Sequence, residues 1–393
     1  MTSSPALAAP LRGLTADYGP ARWIAASPAN YTVAYRPDDY PIDMIVIHDI
    51  EGSAATGISD FQNPAWKASA HYVVSKTGQV TQMVAEKDVA WHAGNWDYNT
   101  RSIGIEHEGY AYIPYTYTTA EYKASAQLIA SICSRWGVPM DRQHVIGHYQ
   151  VPDPNHPGQF GGESHHTDPG PYWNWTSYMN MARSYAQSLP SPPHMMFDAT
   201  ATPGNQTVTL RWAAARTCRT PVASYHVTGE PGDIALDVPG TTLTAKITGL
   251  QNGVRYRFTV TAINGDGQSS ASSNAVVPFT TPSAPSNVVA LAASGSATVS
   301  WTVPGDGGLP ITGYVVTPYA GGVTALPAVT FRLTNSMEVV SGLTNGTAYT
   351  FVVAAINGGG TGAPSTPSNS VTPSVALRPA TGQGPVSSPP PTR

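Results

Sequence analysis

The sequence predicts a multidomain protein: an α/β domain, with a mixed sheet flanked by helices, followed by two all-β sandwiches. Three observations carry this. Residues 41–185 alternate β-branched runs with one long helical pattern and hold nearly all the histidines. Beyond residue 190 short alternating strands take over, and the pattern there repeats itself. Finally, 393 residues exceed one compact core, at roughly 100–200 residues per domain.

Taken in order, residues 1–24 read as an arm or the remnant of an export signal. MTSSPALAAP resembles a small-residue cleavage region, without the basic start or apolar stretch. Residues 25–185 form the α/β domain. MIVIH, AHYVVS, GQVTQMV, SIGIEHEG and HVIGH read as strands. Between the last two, Thr118 and Glu121 form a capping box, apolar residues recur at three- and four-residue spacing, and Gly137 then Pro139 stop the helix. Two sandwiches follow at 190–280 and 284–373, and 374–393 reads as a disordered Pro-rich tail.

Charged residues make up 11% against the usual 25% or so, and the net charge is −4. No Lys/Arg cluster provides a footprint for nucleic acid. No apolar run approaches the ~18 residues of a membrane span. The low-charge, Thr/Ser/Gly-rich surface predicts a secreted protein, and nothing in the sequence suggests anything but a monomer. Of the two cysteines, Cys133 reads as a buried thiol and Cys218 as incidental rather than as partners in a disulfide.

The repeat settles the second fold. ITGLQNGVRYRFTVTAINGDG (247–267) matches VSGLTNGTAYTFVVAAINGGG (340–360), pairing Leu250 with Leu343 and Tyr256 with Tyr349 at one offset (343 − 250 = 349 − 256). VTLRW ending at Trp212 matches ATVSWT around Trp301. Both units resemble the fibronectin type III module. The resemblance implies that Trp212 and Trp301 fill the cores and that Tyr256 and Tyr349 make tyrosine corners.

Chemistry concentrates in the first domain. Eight of the eleven histidines lie between residues 71 and 166, and a ninth is His48. His48 and His148 end apolar strands, and Asp168 follows in HTDPG, where Pro169-Gly170 turns the chain. Two imidazoles and a carboxylate suit Zn²⁺ and leave a fourth position for water. In AWHAGNW, Trp91 offers a flat aromatic face to a substrate, while His92 and Asn95 offer hydrogen bonds. His71 and Tyr72 alternate on a strand, which sends one of them, His71, into the cleft. His107 alternates away from Glu106 and, like His144, reads as structural.

Together, IVIHDIEG, SAHYVVSKTGQV, AWHAGNW, SIGIEHEG, IGH and HTDPGPYW resemble the zinc N-acetylmuramoyl-L-alanine amidases, relatives of T7-type lysozymes and peptidoglycan recognition proteins. The resemblance spans about residues 25–180. It implies that His48, His148 and Asp168 bind zinc, that Glu106 is the general base, and that His166 is an oxyanion donor. Adjacent His165 competes for that last role. It implies a peptidoglycan substrate, cut between the muramic acid lactyl group and L-alanine by zinc-activated water, with the sandwiches as spacers or wall-docking modules. The alternative is a peptidoglycan-binding protein without catalysis; non-catalytic relatives usually lose the third ligand, whereas Asp168 and Glu106 are both present. PDPNHPGQFGGES (152–164) lengthens the gap between His148 and Asp168 and reads as an inserted loop at the cleft rim, with His156 exposed.

Overall fold

The computed structural model describes residues 15–36, 38–195 and 197–375. The expected cleavage region and most of the expected tail lie outside these residues.

In the first domain the strands are β1 (Arg22–Trp23), β2 (Tyr31–Thr32), β3 (Met44–Asp49), β4 (Tyr72–Val74), β5 (Val80–Gln82), β6 (Val89–Ala90), β7 (Ser102–His107) and β8 (Val145–Gly147). The helices are α1 (Ala54–Gln62), α2 (Trp96–Arg101), α3 (Thr119–Trp136) and α4 (Trp175–Ala186). Six strands form one mixed sheet in the order β1-β5-β4-β7-β3-β8. The β4-β7-β3-β8 block is parallel throughout, while β5 runs antiparallel to β4. Strand β1 falls within the expected arm, yet it pairs with β5 as the sheet edge.

Alternation divides the sheet into two faces. Ile45 and Ile47 of β3 and Ile103 and Ile105 of β7 join one core with Leu128, Ile129 and Ile132 of α3 and Tyr178 and Met179 of α4. That core is close to dry, since most of these side chains have no solvent exposure. Met44 and Val46 of β3 sit in a different cluster with Ala93, Ile146 and Val151. The second face therefore carries a thinner apolar layer, and its carboxyl end stays open. Helix α3 begins at a complete Thr118–Glu121 capping box and ends at Gly137 in the left-handed conformation (φ 65°).

The two cysteines correct the sequence reading: Cys133 of α3 and Cys218 form a disulfide. Cysteine count carries no distances, whereas folding brings their Cα atoms to 5.2 Å, inside the range a disulfide bridges. Near the same segment, buried Asp43 pairs with both Arg101 and Arg216.

The remaining strands are β9 (Thr200–Gly204), β10 (Thr207–Arg211), β11 (Ser224–Glu230), β12 (Ile234–Pro239), β13 (Thr244–Thr248), β14 (Arg257–Asn264) and β15 (Gly267–Ser272), then β16 (Ser286–Ala293), β17 (Ser296–Thr302), β18 (Gly313–Ala320), β19 (Thr324–Ala325), β20 (Val329–Phe331), β21 (Met337–Ser341), β22 (Tyr349–Asn357) and β23 (Gly360–Thr361). The first group gives sheets β13-β10-β9 and β12-β11-β14-β15. The second gives β16-β17-β21 and β19-β18-β22-β23, with β20 also on β18. Trp301 is buried against Tyr314 in the second core. The tyrosine corners are present: the Tyr256 hydroxyl accepts from the Gln251 amide and that of Tyr349 from the Thr344 amide, both at 3.1 Å.

Candidate metal centre and cleft

The open end of the second face is where the chemistry-bearing side chains meet. His48 continues the Met44–Val46 side of β3, and Glu106 continues the Ser102–Gly104 side of β7. The two are register partners in the parallel β3–β7 ladder, so their side chains leave the same face. His148 comes one residue after β8, the other neighbour of β3. Asp168 reaches the same point from the loop before α4. Its carboxylate lies 3.2 Å from His48 Nδ1 and 3.1 Å from His148 Nδ1. All three residues are buried, their ligand atoms fall within 4.8 Å of one another, and they could hold a metal ion.

The electrostatics fit a cation. Burial, then the neighbouring His148, pushes the His48 imidazole down to about 4, so it is neutral at pH 7 with Nδ1 able to ligate. Burial would raise Asp168, but hydrogen bonds from His148 and His48 outweigh it and hold the carboxyl well below its usual range. Among the described residues, His148 Nε2 and one oxygen of Glu106 are buried without a hydrogen-bond partner. Burial, with Asp168 and Asp49 adding repulsion, holds the Glu106 carboxyl well above its usual range. Orphaned buried groups of this kind are costly unless a ligand or reaction uses them.

The cleft beside this centre has a volume of about 440 Å³ and is lined by His48, Glu106, His148, His166 and Asp168 together with Trp66 and Trp91. Trp91 is half-buried, its indole N–H held by Thr32 Oγ1 at 3.0 Å. His166 is exposed, and its ring stacks on His148 at 4.6 Å and 16°. Burial and the neighbouring His148 lower its pKa from the ordinary imidazole value. His165 turns away to Asp153 and is not among the residues that line the cleft.

One expectation is corrected and two are narrowed. His71 has no solvent exposure; it accepts from the Gly104 amide at Nδ1 and faces the Asp88 carbonyl with Nε2. It lies behind His92 and touches no ligand in the cleft. Asn95 lies at the rim, but both ends of its amide are used: Oδ1 caps α2 by accepting from Tyr98, and Nδ2 donates to the Pro152 carbonyl. His92 does line the cleft, yet its ring is committed to the protein, with Nδ1 3.0 Å from His48 Nε2 and Nε2 3.2 Å from Ser102 Oγ. Its contact with His48 Nε2 supports that imidazole from behind, while the ring still forms part of the cleft wall. In each case, spacing brought the residue to the site but could not show what its polar atoms would bond. His107 behaves as expected: it points to the helix face, against the His48 carbonyl and Ser125.

The sequence reading passed over Gly104, Asp49 and Trp66. A Cβ on Gly104 would lie 2.4 Å from His92 Cγ, so the ring rests directly on backbone. Asp49 accepts from Tyr117 at 2.6 Å, and its amide donates to Asp168 at 3.3 Å. The glycine between two β-branched residues in a central strand was the available signal, since such a position marks a close approach.

The chain matches the N-acetylmuramoyl-L-alanine amidase family over residues 38–171 and the fibronectin type III domain over 191–278 and 283–371. It is 41% identical to N-acetylmuramoyl-L-alanine amidase A of Achromobacter lyticus over 174 residues, which cover 42% of this chain and 94% of that protein. It is 28% identical to 1,6-anhydro-N-acetylmuramyl-L-alanine amidase AmpD of Citrobacter freundii over 167 residues, 36% of this chain and 82% of that one. Among solved structures, a selenomethionine AmpD derivative shares 25% identity, with a TM-score of 0.33, over 42% of this chain and 95% of that chain.

Proposed function

Because the chain belongs to the N-acetylmuramoyl-L-alanine amidase family, we propose that its cleft hydrolyses the amide between the lactyl group of N-acetylmuramic acid and the L-alanine of the stem peptide. The observation that carries this is the convergence of His48, His148 and Asp168 beside Glu106 in one cleft.

The donor set, two imidazole Nδ1 atoms and a carboxylate, fits Zn²⁺, and the three residues would hold it with positions left open. Zinc there supplies Lewis acidity, lowering the pKa of water and polarising a carbonyl. Glu106 takes the proton from the attacking water and delivers it to the departing alanine nitrogen. Its raised proton affinity makes the ionised form an effective acceptor, worth roughly 10²–10⁴ in rate. His166 donates a ring N–H to the carbonyl oxygen as negative charge grows on it. Trp91 and Trp66 give the glycan or peptide flat apolar walls. The wall polymer lies outside the cytoplasm, and the Cys133–Cys218 disulfide fits an oxidising compartment.

The experiment is metal content of the purified full chain together with release of free amino groups from muramyl peptide, with and without chelator. Chelator-sensitive appearance of L-alanine amino termini is expected. Bound zinc without release would turn the reading toward a binding protein.

A further inference from the structure

The rim loop between His148 and Asp168 contains a second convergence that the proposed reaction does not use. His156 Nδ1 lies 2.9 Å from Asp153 Oδ2, and His165 Nε2 lies 2.7 Å from the same oxygen. The three ligand atoms fall within 4.8 Å of one another. Asp153 is buried, whereas the two histidine side chains are about half exposed and can turn.

We propose that Asp153, His156 and His165 form a second divalent-metal site, of the zinc type, that clips the 152–165 loop at the rim of the cleft. This site shares no ligand with the cleft centre.

Three arguments support it. First, the carboxylate is presented as a ligating carboxylate is. Its Oδ1 is fixed by the amides of Asn155 at 2.7 Å and His156 at 3.2 Å, which leaves Oδ2 aimed at both imidazoles. Second, the loop tip has little apolar burial to hold it, and its order rests on backbone hydrogen bonds such as Asp153 N–H to the Gln159 carbonyl and Gly161 N–H to the Val151 carbonyl. Residues 154–160 are all exposed, and its one large apolar side chain, Phe160, is 55% exposed. Such a stretch gains little from burial, and a cross-link is the efficient way to order it. Third, the two neighbouring histidines part ways: the His165 ring meets Asp153 at 2.7 Å while the His166 ring stacks on His148, so the Asp153 cluster and the cleft centre do not compete for one imidazole.

Two imidazole nitrogens and one oxygen select a zinc-type ion over calcium or magnesium, which take oxygen sets. Tetrahedral ligands sit roughly 3.3 Å apart, so the two imidazoles need to back off by about half an ångström from their present contacts. The clip also bears on the cleft. His166 follows His165 directly, and its amide donates to the Gly161 carbonyl at 2.9 Å, so ordering the loop fixes where the His166 ring stands. It is therefore a positioning device for His166.

The test is zinc titration of the metal-stripped full chain by equilibrium dialysis, alongside limited proteolysis within 152–165. Wild type is expected to take up two equivalents. His156→Ala, at an exposed side chain, and Asp153→Asn should each take up one. His148→Ala should lose the cleft equivalent and keep the loop equivalent. Zinc should protect the loop in wild type and His148→Ala but not in His156→Ala. The proposal is overturned if wild type binds one equivalent that His148→Ala abolishes, or if His156→Ala binds as much as wild type. His148→Ala retaining both equivalents would instead sink the cleft assignment and leave the loop site standing.

Discussion

His48 and Glu106 stand opposite each other across the parallel β3–β7 ladder, one residue from the strand end in each case. One proposed ligand and the proposed base are thus held by the same backbone hydrogen bonds, and neither depends on a loop for its place. Glu106→Gln should therefore keep its metal and lose turnover by roughly 10²–10⁴. Metal content and amino-group release on the same preparation check this; a variant at near wild-type rate removes Glu106 from the mechanism.

The neighbours His165 and His166 should separate in kinetics. His166→Ala should lower kcat by roughly 10²–10³ with little change in KM, as expected when a donor acts mainly in the transition state. His165→Ala should cost far less, because its ring faces Asp153. Equal losses would contradict the assignment of the oxyanion donor.

Support of His48 from behind gives a prediction about metal affinity. Gly104→Ala puts a Cβ where the His92 ring lies, and His92→Ala removes the ring itself. Each should weaken zinc binding by roughly 10–100-fold while leaving all three proposed ligands intact. Competition against a chromogenic chelator measures it, and unchanged affinity would show that the His92–His48 contact is incidental.

Burial pushes His107 down to about 3, from the ordinary 6.5 or so. Below pH 6.5 the unfolded chain takes a proton on this residue and the folded chain does not. Its contribution to stability is thus complete above about 6.5 and is lost progressively as pH falls toward 3. The stability of metal-free wild type relative to His107→Gln should drop by about 1.4 kcal/mol per pH unit in that window. Urea midpoints at pH 7.5, 6 and 5 test it; a difference that does not vary with pH would mean that the folded imidazole titrates normally.

The Cys133–Cys218 disulfide closes a separation of 85 residues. Chain entropy alone sets its contribution at about 4–5 kcal/mol, an upper figure for a real cross-link. Cys133→Ser with Cys218→Ser, or reduction of the wild type, should lower the denaturant midpoint by a matching amount. No shift on reduction would mean that the bond is dispensable for stability.

Much of this protein was legible in its sequence because the signals were local. The Thr118–Glu121 box, the period of α3 and the Leu-x5-Tyr repeats are determined over a few residues by backbone hydrogen bonding and burial. Strand alternation also put His107 on the face opposite Glu106. What a given imidazole would touch was not local. His71 was drawn to the cleft by its chemistry, but the Gly104 amide had already taken its Nδ1, and His92 and Asn95, which do reach the cleft wall, share their polar atoms with Ser102 and Pro152. The disulfide and the Asp153 cluster were hidden for the same reason, since each joins segments whose separation in space no spacing rule encodes. The sequence by itself determined which elements form and which residue types face a common side. Only the tertiary structure decided which buried donors and acceptors are satisfied by the protein and which, like Glu106 and His148, are left for something else. Satisfaction of a buried polar group depends on three-dimensional distance, and that is fixed only once the sheet and its loops have closed.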